Sequence, residues 1–301
     1  MIYGKSVFSD VEQIKRYIYD CETSFEKQLK KAADSIIYSN AKIITICGPT
    51  CSGKTTTANK LLSYLKMEGK RVHVVSFDDF YLDRDVIERM CNEKGVEVEF
   101  ESASTLDLEL LKTVMDHIAE GHDVDVPKFD FKSGKRNGFQ RFSLSEDDLF
   151  IFEGIQALYD EVTALYQNFA HFSIYICAED GIKFDCAEFD KETVRFLRRV
   201  VRDRKHRNAS ASFTYSIWKT VRENEEANIF PNTHKADFFI NSTLKYELNV
   251  IKHDALPTLS EVENTDSFYE ISKKLIAMLD KLQEVSEELV PLDSVLREFI
   301  D

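Results

Sequence analysis

Glycines, a lysine and a threonine stand at phosphate-binding spacing in the first quarter of the chain. Residues 48–55 read GPTCSGKT and match the pattern GxxxxGK[ST] at every defined position. Glycines let successive backbone amides turn toward phosphate oxygens, and the helix that follows adds partial positive charge. In this pattern Lys54 reaches the β- and γ-phosphates, and the Thr55 hydroxyl ligates Mg²⁺. The predicted nucleotide-binding residues are Gly48, Pro49, Thr50, Cys51, Ser52, Gly53, Lys54, Thr55 and Thr56.

Two further segments carry carboxylates that phosphoryl transfer requires. Residues 76–81 read SFDDFY after one apolar run, and the run LFIFE ends at Glu153. In an open parallel sheet the carboxyl ends of the strands line the ligand crevice. We therefore predict that Asp78 positions or deprotonates an attacking hydroxyl and that Glu153 supports Mg²⁺. The alternatives are a solvated turn or helix cap for Asp78 and Asp79, and a capping residue for Glu153.

A dense cationic run follows later in the chain. Residues 191–207 read KETVRFLRRVVRDRKHR. On a helix, Arg195, Arg198 or Arg199, and Arg202 recur at i, i+3/i+4 and i+7, and so form one stripe. Such a stripe is predicted to close over the nucleotide, where arginine forks neutralise the transferring phosphoryl group. The alternative is a surface helix whose charge is balanced by neighbouring acids such as Asp203.

The elements that position these groups alternate between strands and helices. Compact apolar runs predict strands at 42–47, 71–77, 149–153, 172–177 and 237–240, and helical periodicity fills most of the intervals. This alternation predicts an α/β fold with a doubly wound, mainly parallel sheet and helices on both faces. We expect an N-terminal helical segment (1–40), a nucleotide-binding domain (41–255) and a C-terminal helical segment (256–301) packed on the same domain. Helical periodicity runs throughout 259–300.

The composition of the chain limits the classes of molecule that it is expected to bind. The 301 residues contain 39 Lys and Arg against 53 Asp and Glu, a formal charge of −14. This acidic surplus argues against nucleic-acid polymers, which are gripped by basic surfaces. There is no run of about eighteen apolar residues to span a membrane and no signal-peptide pattern. Six cysteines without paired spacing predict reduced thiols and a cytoplasmic protein.

The motifs, taken in order, resemble the uridine kinase and phosphoribulokinase family of P-loop kinases over roughly residues 42–250. The segments that carry the resemblance are GPTCSGKTT, SFDDFY, VPKFDFKSGKR, FIFEGI, RFLRRVVRDR and FPNTHKADFFI. The resemblance implies a P-loop NTPase-type fold, with Asp78 as the base-like aspartate and Mg²⁺ among Thr55, Asp78 and Glu153. It also implies a mobile arginine-rich lid with Arg195, Arg198 and Arg202. The implied acceptor-site residues are Asp78, Tyr81, Glu101, Phe129, Phe131 and Arg136.

Departures from the family pattern concern the acceptor. Uridine-cytidine kinases supply a Tyr and a His to the pyrimidine, and this chain has Phe129 and Gly134 at those positions. Both hydrogen-bonding side chains are missing, although Phe129 can still stack on a base. Glu101 replaces the ribose-binding aspartate with a longer carboxylate. Asn208 stands where the lid usually has Gly, and Asn tolerates a left-handed backbone.

We predict a kinase that uses ATP and Mg²⁺ to phosphorylate a hydroxyl of a nucleoside-like small molecule. The chain lacks the NKxD motif of GTPases and the paired acids of motor ATPases. Two alternatives stay open at this point. One is a kinase for another acceptor, such as a sugar phosphate or a pantothenate-like compound, and the other is a non-catalytic nucleotide-binding regulatory protein. The possibility that the protein forms a homo-oligomer also stays open.

Overall fold

The computed structural model describes residues 1–95, 101–145 and 147–301. The strands in these ranges are β1 (Ile2–Tyr3), β2 (Ile43–Cys47), β3 (Arg71–Ser76), β4 (Val124–Asp130), β5 (Lys135–Phe142), β6 (Asp148–Glu153), β7 (His171–Cys177), β8 (Ile182–Lys183), β9 (Glu188–Phe189) and β10 (Phe238–Asn241). The helices are α1 (Val11–Ser39), α2 (Lys54–Met67), α3 (Arg84–Lys94), α4 (Leu108–Glu120), α5 (Asp160–Tyr166), α6 (Lys191–Arg207), α7 (Ala211–Asn224), α8 (Glu247–Ser260), α9 (Tyr269–Leu279) and α10 (Arg297–Ile300).

A central sheet of five parallel strands has the order β10-β7-β2-β6-β3. The phosphate-loop strand β2 is therefore in the middle, and β6 separates it from β3. Register pairs Ile46 with Glu153 and Ser76 with Glu153, so the three strands end at the same level. The carboxyl edge of the sheet thus brings together the three segments that carry the predicted site.

Helices cover both faces of this sheet. Strand β2 is buried along its whole length, and its alternate residues pack into two different cores. Ile44 and Ile46 join the core that includes α1, α2 and α6, whereas Ile43 and Cys47 join the core of α4 and α5. A strand apolar on both faces is typical of a parallel sheet between helical layers. The predicted α/β architecture is confirmed.

The terminal segments pack into the same core as α2. Helix α1 is one continuous helix, and Asp10 caps it by accepting a hydrogen bond from the Gln13 amide. The predicted boundary at 255/256 falls inside α8. The prediction of helix throughout 259–300 is wrong, because residues between α9 and α10 form turns with one short 3₁₀ segment.

A hairpin of β4 and β5 stands apart from the central sheet and is antiparallel. The hairpin could not be predicted from the sequence, since β5 is mostly exposed and reads KRNGFQRF, without apolar alternation. Its register shifts between Pro127 and Phe129, which marks a bulge or irregularity in the pairing. The hairpin packs against the short 3₁₀ segment that contains Asp78 and Asp79. In the described ranges, no helix is both long and apolar enough to cross a bilayer.

Candidate active site

The phosphate loop occupies residues 48–53, between the end of β2 and the start of α2. A Cβ atom on Gly48 would lie 2.1 Å from the backbone oxygen of Ile176, so a larger residue does not fit. Gly53 has a φ of +91°, and Cys51 also adopts a left-handed backbone with a φ of 58°. Glycine accepts such a φ without steric cost, and the loop therefore bends back toward the first turn of α2.

Two arginines hold the outer side of this loop. Arg195 Nε donates to the Thr50 carbonyl at 3.4 Å, and Arg198 Nη1 donates to the Cys51 carbonyl at 3.2 Å. In a trans peptide unit the C=O and N–H groups point in opposite directions. Anchoring the two carbonyls on the outside therefore directs the amides that follow them toward the inside of the loop.

The inside of the loop offers polar groups that suit phosphate. Lys54 Nζ donates to the carbonyls of Gly48 and Pro49 at 2.9 and 3.0 Å, so its ammonium lies over the loop. Ser52 Oγ is buried and has no hydrogen-bond partner in the described part of the chain. Buried hydroxyls normally have partners. An orphaned hydroxyl, a lysine and the first N–H groups of α2, which have no partner within the helix, together fit the phosphates of a nucleotide.

Carboxylates from two neighbouring strand ends face the loop. The Thr55 hydroxyl lies 3.4 Å from Glu153 Oε1, at the end of β6. Burial raises the pKa of Glu153 to about 7, and the Lys54 ammonium opposes that rise. Burial also raises the pKa of Asp78, again against the charge of Lys54. The charge of Asp78 adds to the rise in the pKa of Glu153, so the two acids lie close enough to interact.

This donor set fits Mg²⁺. Over residues 1–95, 101–145 and 147–301, no group of three or more His, Cys, Asp or Glu side chains is placed to hold a metal. Mg²⁺ commonly binds through one or two carboxylates and the substrate's phosphates, and keeps several waters. Thr55, Asp78 and Glu153 supply one hydroxyl and two carboxylates beside the phosphate loop, which matches that preference.

The structure places two arginines of the predicted α6 stripe inside the protein. Arg195 is 2% exposed and forms an ion pair with Glu225, and Arg198 is fully buried in an ion pair with Glu247. Their charges are matched inside the protein, and they face the back of the phosphate loop.

Further arginines lie on the last turns of α6. Asp203 is buried and accepts hydrogen bonds from Arg199 at 3.1 Å and from Arg202 at 2.7 Å. Arg207 lies 3.4 Å from the same carboxylate, but its side chain is 59% exposed. The charge of Arg207 also lowers the pKa of Asp78, opposing the larger effect of burial. Asp203 thus gathers three guanidinium groups at the end of α6 that faces Asp78.

Asp79 anchors the β4–β5 hairpin beside the site. Its carboxylate accepts hydrogen bonds from Lys128 Nζ at 2.6 Å and from the Phe129 amide at 3.2 Å. The Phe129 ring contacts the Tyr81 ring, with centroids 5.7 Å apart. Phe131 packs against Phe129 at 5.3 Å and is 59% exposed. The predicted acceptor-site aromatics therefore form one cluster next to Asp78.

Arg136 lies at the base of this cluster, where its guanidinium is engaged by the protein. It donates to the Tyr81 carbonyl at 3.2 Å and forms an ion pair with Asp107 at 2.9 Å. Its backbone amide donates to Asp83. Arg136 thus connects the hairpin to the segment after β3. Its guanidinium already forms hydrogen bonds within the protein, at the place where the acceptor is predicted to bind.

Glu101 lies near the same cluster, since its charge acts on the Tyr81 hydroxyl. Asn224 Nδ2 donates to its carboxylate at 2.6 Å. Burial raises the pKa of Glu101, while the hydrogen bond from Asn224 and the charges of Arg199 and Lys54 lower it. Asn224 ends α7 and is followed by a π-helical turn at Glu225–Ile229, a feature often found at functional sites.

Comparisons with known proteins place this geometry in a family. The sequence model of the Phosphoribulokinase / Uridine kinase family matches residues 43–248, more than half of the chain. The chain belongs to this family. Its P-loop fold and its class, a P-loop small-molecule kinase, follow from that membership.

Individual relatives agree with this assignment. The kinase is 26% identical over 199 residues to a uridine kinase of Lactobacillus helveticus, covering 66% of this chain and 85% of the relative. It is 27% identical over 199 residues to uridine-cytidine kinase B of Dictyostelium discoideum, covering 66% and 73%. Among solved structures, the YGR205w protein superposes with a TM-score of 0.51 at 17% identity, covering 71% of this chain and 89% of that one. The last similarity concerns the fold alone.

Two polar residues at the kinase's site were not predicted from the sequence. Asn224 lies outside the motifs that predicted the site, and its partner Glu101 is 123 residues away. Gln156 is buried, donates to the Tyr81 hydroxyl at 3.2 Å, and leaves its own amide oxygen without a partner among the described residues. Gln156 follows Glu153 by three residues, and that position after the strand was the available signal.

Proposed function

We propose that this kinase transfers the γ-phosphoryl group of ATP to a hydroxyl of a nucleoside. One observation carries the proposal. The carboxylates of Asp78 and Glu153 follow strands at the same sheet edge as the phosphate loop, and both feel the charge of Lys54. A base, a metal-binding acid and a phosphate-binding lysine in one crevice are the parts that phosphoryl transfer requires.

The reaction assigned to this site is a direct transfer. Asp78 takes the proton from the acceptor hydroxyl as that oxygen bonds to the γ-phosphorus. The bond from the γ-phosphorus to the β,γ-bridging oxygen breaks, and ADP leaves. Burial raises the pKa of Asp78, which makes it a better proton acceptor than an exposed aspartate. Bound Mg²⁺, held by Thr55, Asp78 and Glu153, would neutralise charge on the phosphates.

Support for a nucleoside acceptor comes from the walls of the site. The curated relatives named above are uridine and uridine-cytidine kinases. Phe129 and Tyr81 present aromatic surface on which a base can stack. Glu101, held by Asn224, can accept hydrogen bonds from sugar hydroxyls. Since Phe129 has no polar atom in its side chain, we propose that this wall selects a flat ring without reading its edge.

The experiment is a measurement of ADP release from ATP and Mg²⁺ across a panel of acceptors. The panel contains ribonucleosides, deoxyribonucleosides, free sugars, sugar phosphates and pantothenate. We expect release with ribonucleosides that exceeds release with the free sugars. Release with a sugar phosphate or pantothenate alone would assign the other acceptor class. ATP binding without acceptor-dependent release would favour the regulatory alternative.

A further inference from the structure

The C-terminal segment, residues 290–301, packs directly against the phosphate loop. It lies beyond the region matched by the family, which ends at residue 248. A Cβ on Gly53 would lie 2.3 Å from Val295 Cγ2, so the Val295 side chain packs directly on the Gly53 backbone. Phe299 is fully buried, with the Arg198 guanidinium 4.9 Å from its ring centroid. Lys205 Nζ also donates to the Ile300 carbonyl. The segment is held in place by the same helix, α6, that anchors the loop.

These contacts place one carboxylate on the first turn of α2. The Thr56 amide donates to Glu298 Oε2 at 3.3 Å, and the Thr56 hydroxyl lies 3.0 Å from the same oxygen. The first N–H groups of a helix have no partner within the helix, and the helix dipole favours an anion beside them. In a phosphate loop these N–H groups cradle the α- and β-phosphates. Glu298 is thus an internal anion on a donor group that the nucleotide requires.

We propose that Glu298 competes with the nucleotide for the Thr56 amide, so that the C-terminal segment sets how tightly the phosphate loop holds the donor. The proposal rests on the nucleotide site of the proposed function. When a nucleotide binds, its phosphate takes the Thr56 N–H and the Glu298 side chain turns away. A carboxylate that stayed would face the phosphate with like charge, which costs affinity.

The charges around Glu298 agree with such a movable side chain. Its negative charge raises the pKa of Glu153 and of Arg202, so it lies within electrostatic range of both. Arg202 is mostly buried at the end of α6, beside Asp203. When the Glu298 carboxylate leaves Thr56, it remains within electrostatic range of Arg202. Displacement therefore keeps an opposite charge nearby.

A capping contact with no effect on nucleotide binding is the competing explanation, and direct binding measurements separate the two. The probes are ADP and inorganic tripolyphosphate, titrated calorimetrically into the full chain. The variants are Glu298→Gln, which keeps the size of the side chain, and Glu298→Ala. The matched control is Glu288→Gln, an exposed carboxylate ten residues before Glu298 in the sequence. Melting temperatures measured without ligand verify that each variant is folded.

We expect Glu298→Gln and Glu298→Ala to bind both probes about 10-fold more tightly than the wild type, because each removes the competing charge. Glu288→Gln is expected to stay within about 2-fold of the wild type. Unchanged or weaker binding by both Glu298 variants, with the wild type binding normally, would overturn this inference and leave the proposed function intact. Failure of every folded protein to bind either probe would overturn the nucleotide site itself and this inference with it.

Discussion

The Arg198 guanidinium and the Glu247 carboxylate form an ion pair in which neither side chain is exposed to solvent, with Nη2 and Oε1 3.0 Å apart. The same guanidinium donates to the Cys51 carbonyl. Removing one partner of a buried pair leaves an uncompensated charge, at a cost of about 3–5 kcal/mol. We expect Arg198→Met to lower the free energy of unfolding by that amount, measured by urea denaturation. Wild-type stability in this variant would contradict the structural role.

Arg207 is the matched contrast on the same helix. Its side chain is largely exposed and its charge acts on Asp78. We expect Arg207→Met to leave the melting temperature nearly unchanged, because exposed substitutions have small effects on stability. We expect kcat to fall about 100-fold, the usual effect of losing one group that stabilises transition-state charge. A large drop in melting temperature with unchanged kcat would show that Arg207 has a structural role.

Glu153 should reduce stability at alkaline pH. Burial raises its pKa from 4.5 to about 7, so between these values the folded state binds more protons than the unfolded state. Stability contributed by the protonated group is complete below about pH 4.5 and is lost as pH rises through about 7. Without Mg²⁺, Glu153→Gln should therefore be about 2 to 3 kcal/mol more stable than the wild type at pH 8, and equal to it near pH 4.5. Melting temperatures in EDTA across this range provide the measurement, and a pH-independent difference would refute it.

Loss of the Asp79 carboxylate should weaken binding of the acceptor and leave binding of the nucleotide unchanged. Its carboxylate holds Lys128 and the Phe129 amide, and a hydrogen bond to a charged group contributes about 1.5–3 kcal/mol. We expect Asp79→Ala to raise KM for the acceptor about 10-fold or more, with the Kd for ADP unchanged. Asp125→Ala, an exposed carboxylate on the same hairpin, is the control. Equal increases in KM for the acceptor and in Kd for ADP would mean that the hairpin does not act on the acceptor side alone.

Local features of the fold could be predicted from the sequence because they depend on near neighbours. The strand predicted at 42–47 is confirmed as β2, since both of its faces are apolar and buried. Asn208 adopts the left-handed backbone expected of it, with a φ of 51°. By contrast, residues 280–296 show helical spacing but form turns and one short 3₁₀ segment. Their apolar side chains are buried in the core that other elements form, and not by one helix face.

Side-chain partners distant in sequence could not be predicted. The arginine spacing on α6 was read correctly, but Glu225 and Glu247 lie 30 and 49 residues from their partners, and only the fold brings them together. The contact between Thr56 and Glu298 spans 242 residues. The phosphate loop itself was predictable because its residues are contiguous in the sequence. Its glycines stand at positions where neighbouring atoms leave no room for a side chain.

The most direct test of the account is the Asp78→Asn variant, assayed for ADP release with the best acceptor and for ADP binding by calorimetry. Asparagine keeps the shape of the side chain but cannot take the hydroxyl proton. We predict that kcat falls about 10²- to 10⁴-fold, the range for loss of a general base, while the Kd for ADP stays within about 3-fold of the wild type. Wild-type turnover by the variant would contradict the role of Asp78 and the mechanism built on it.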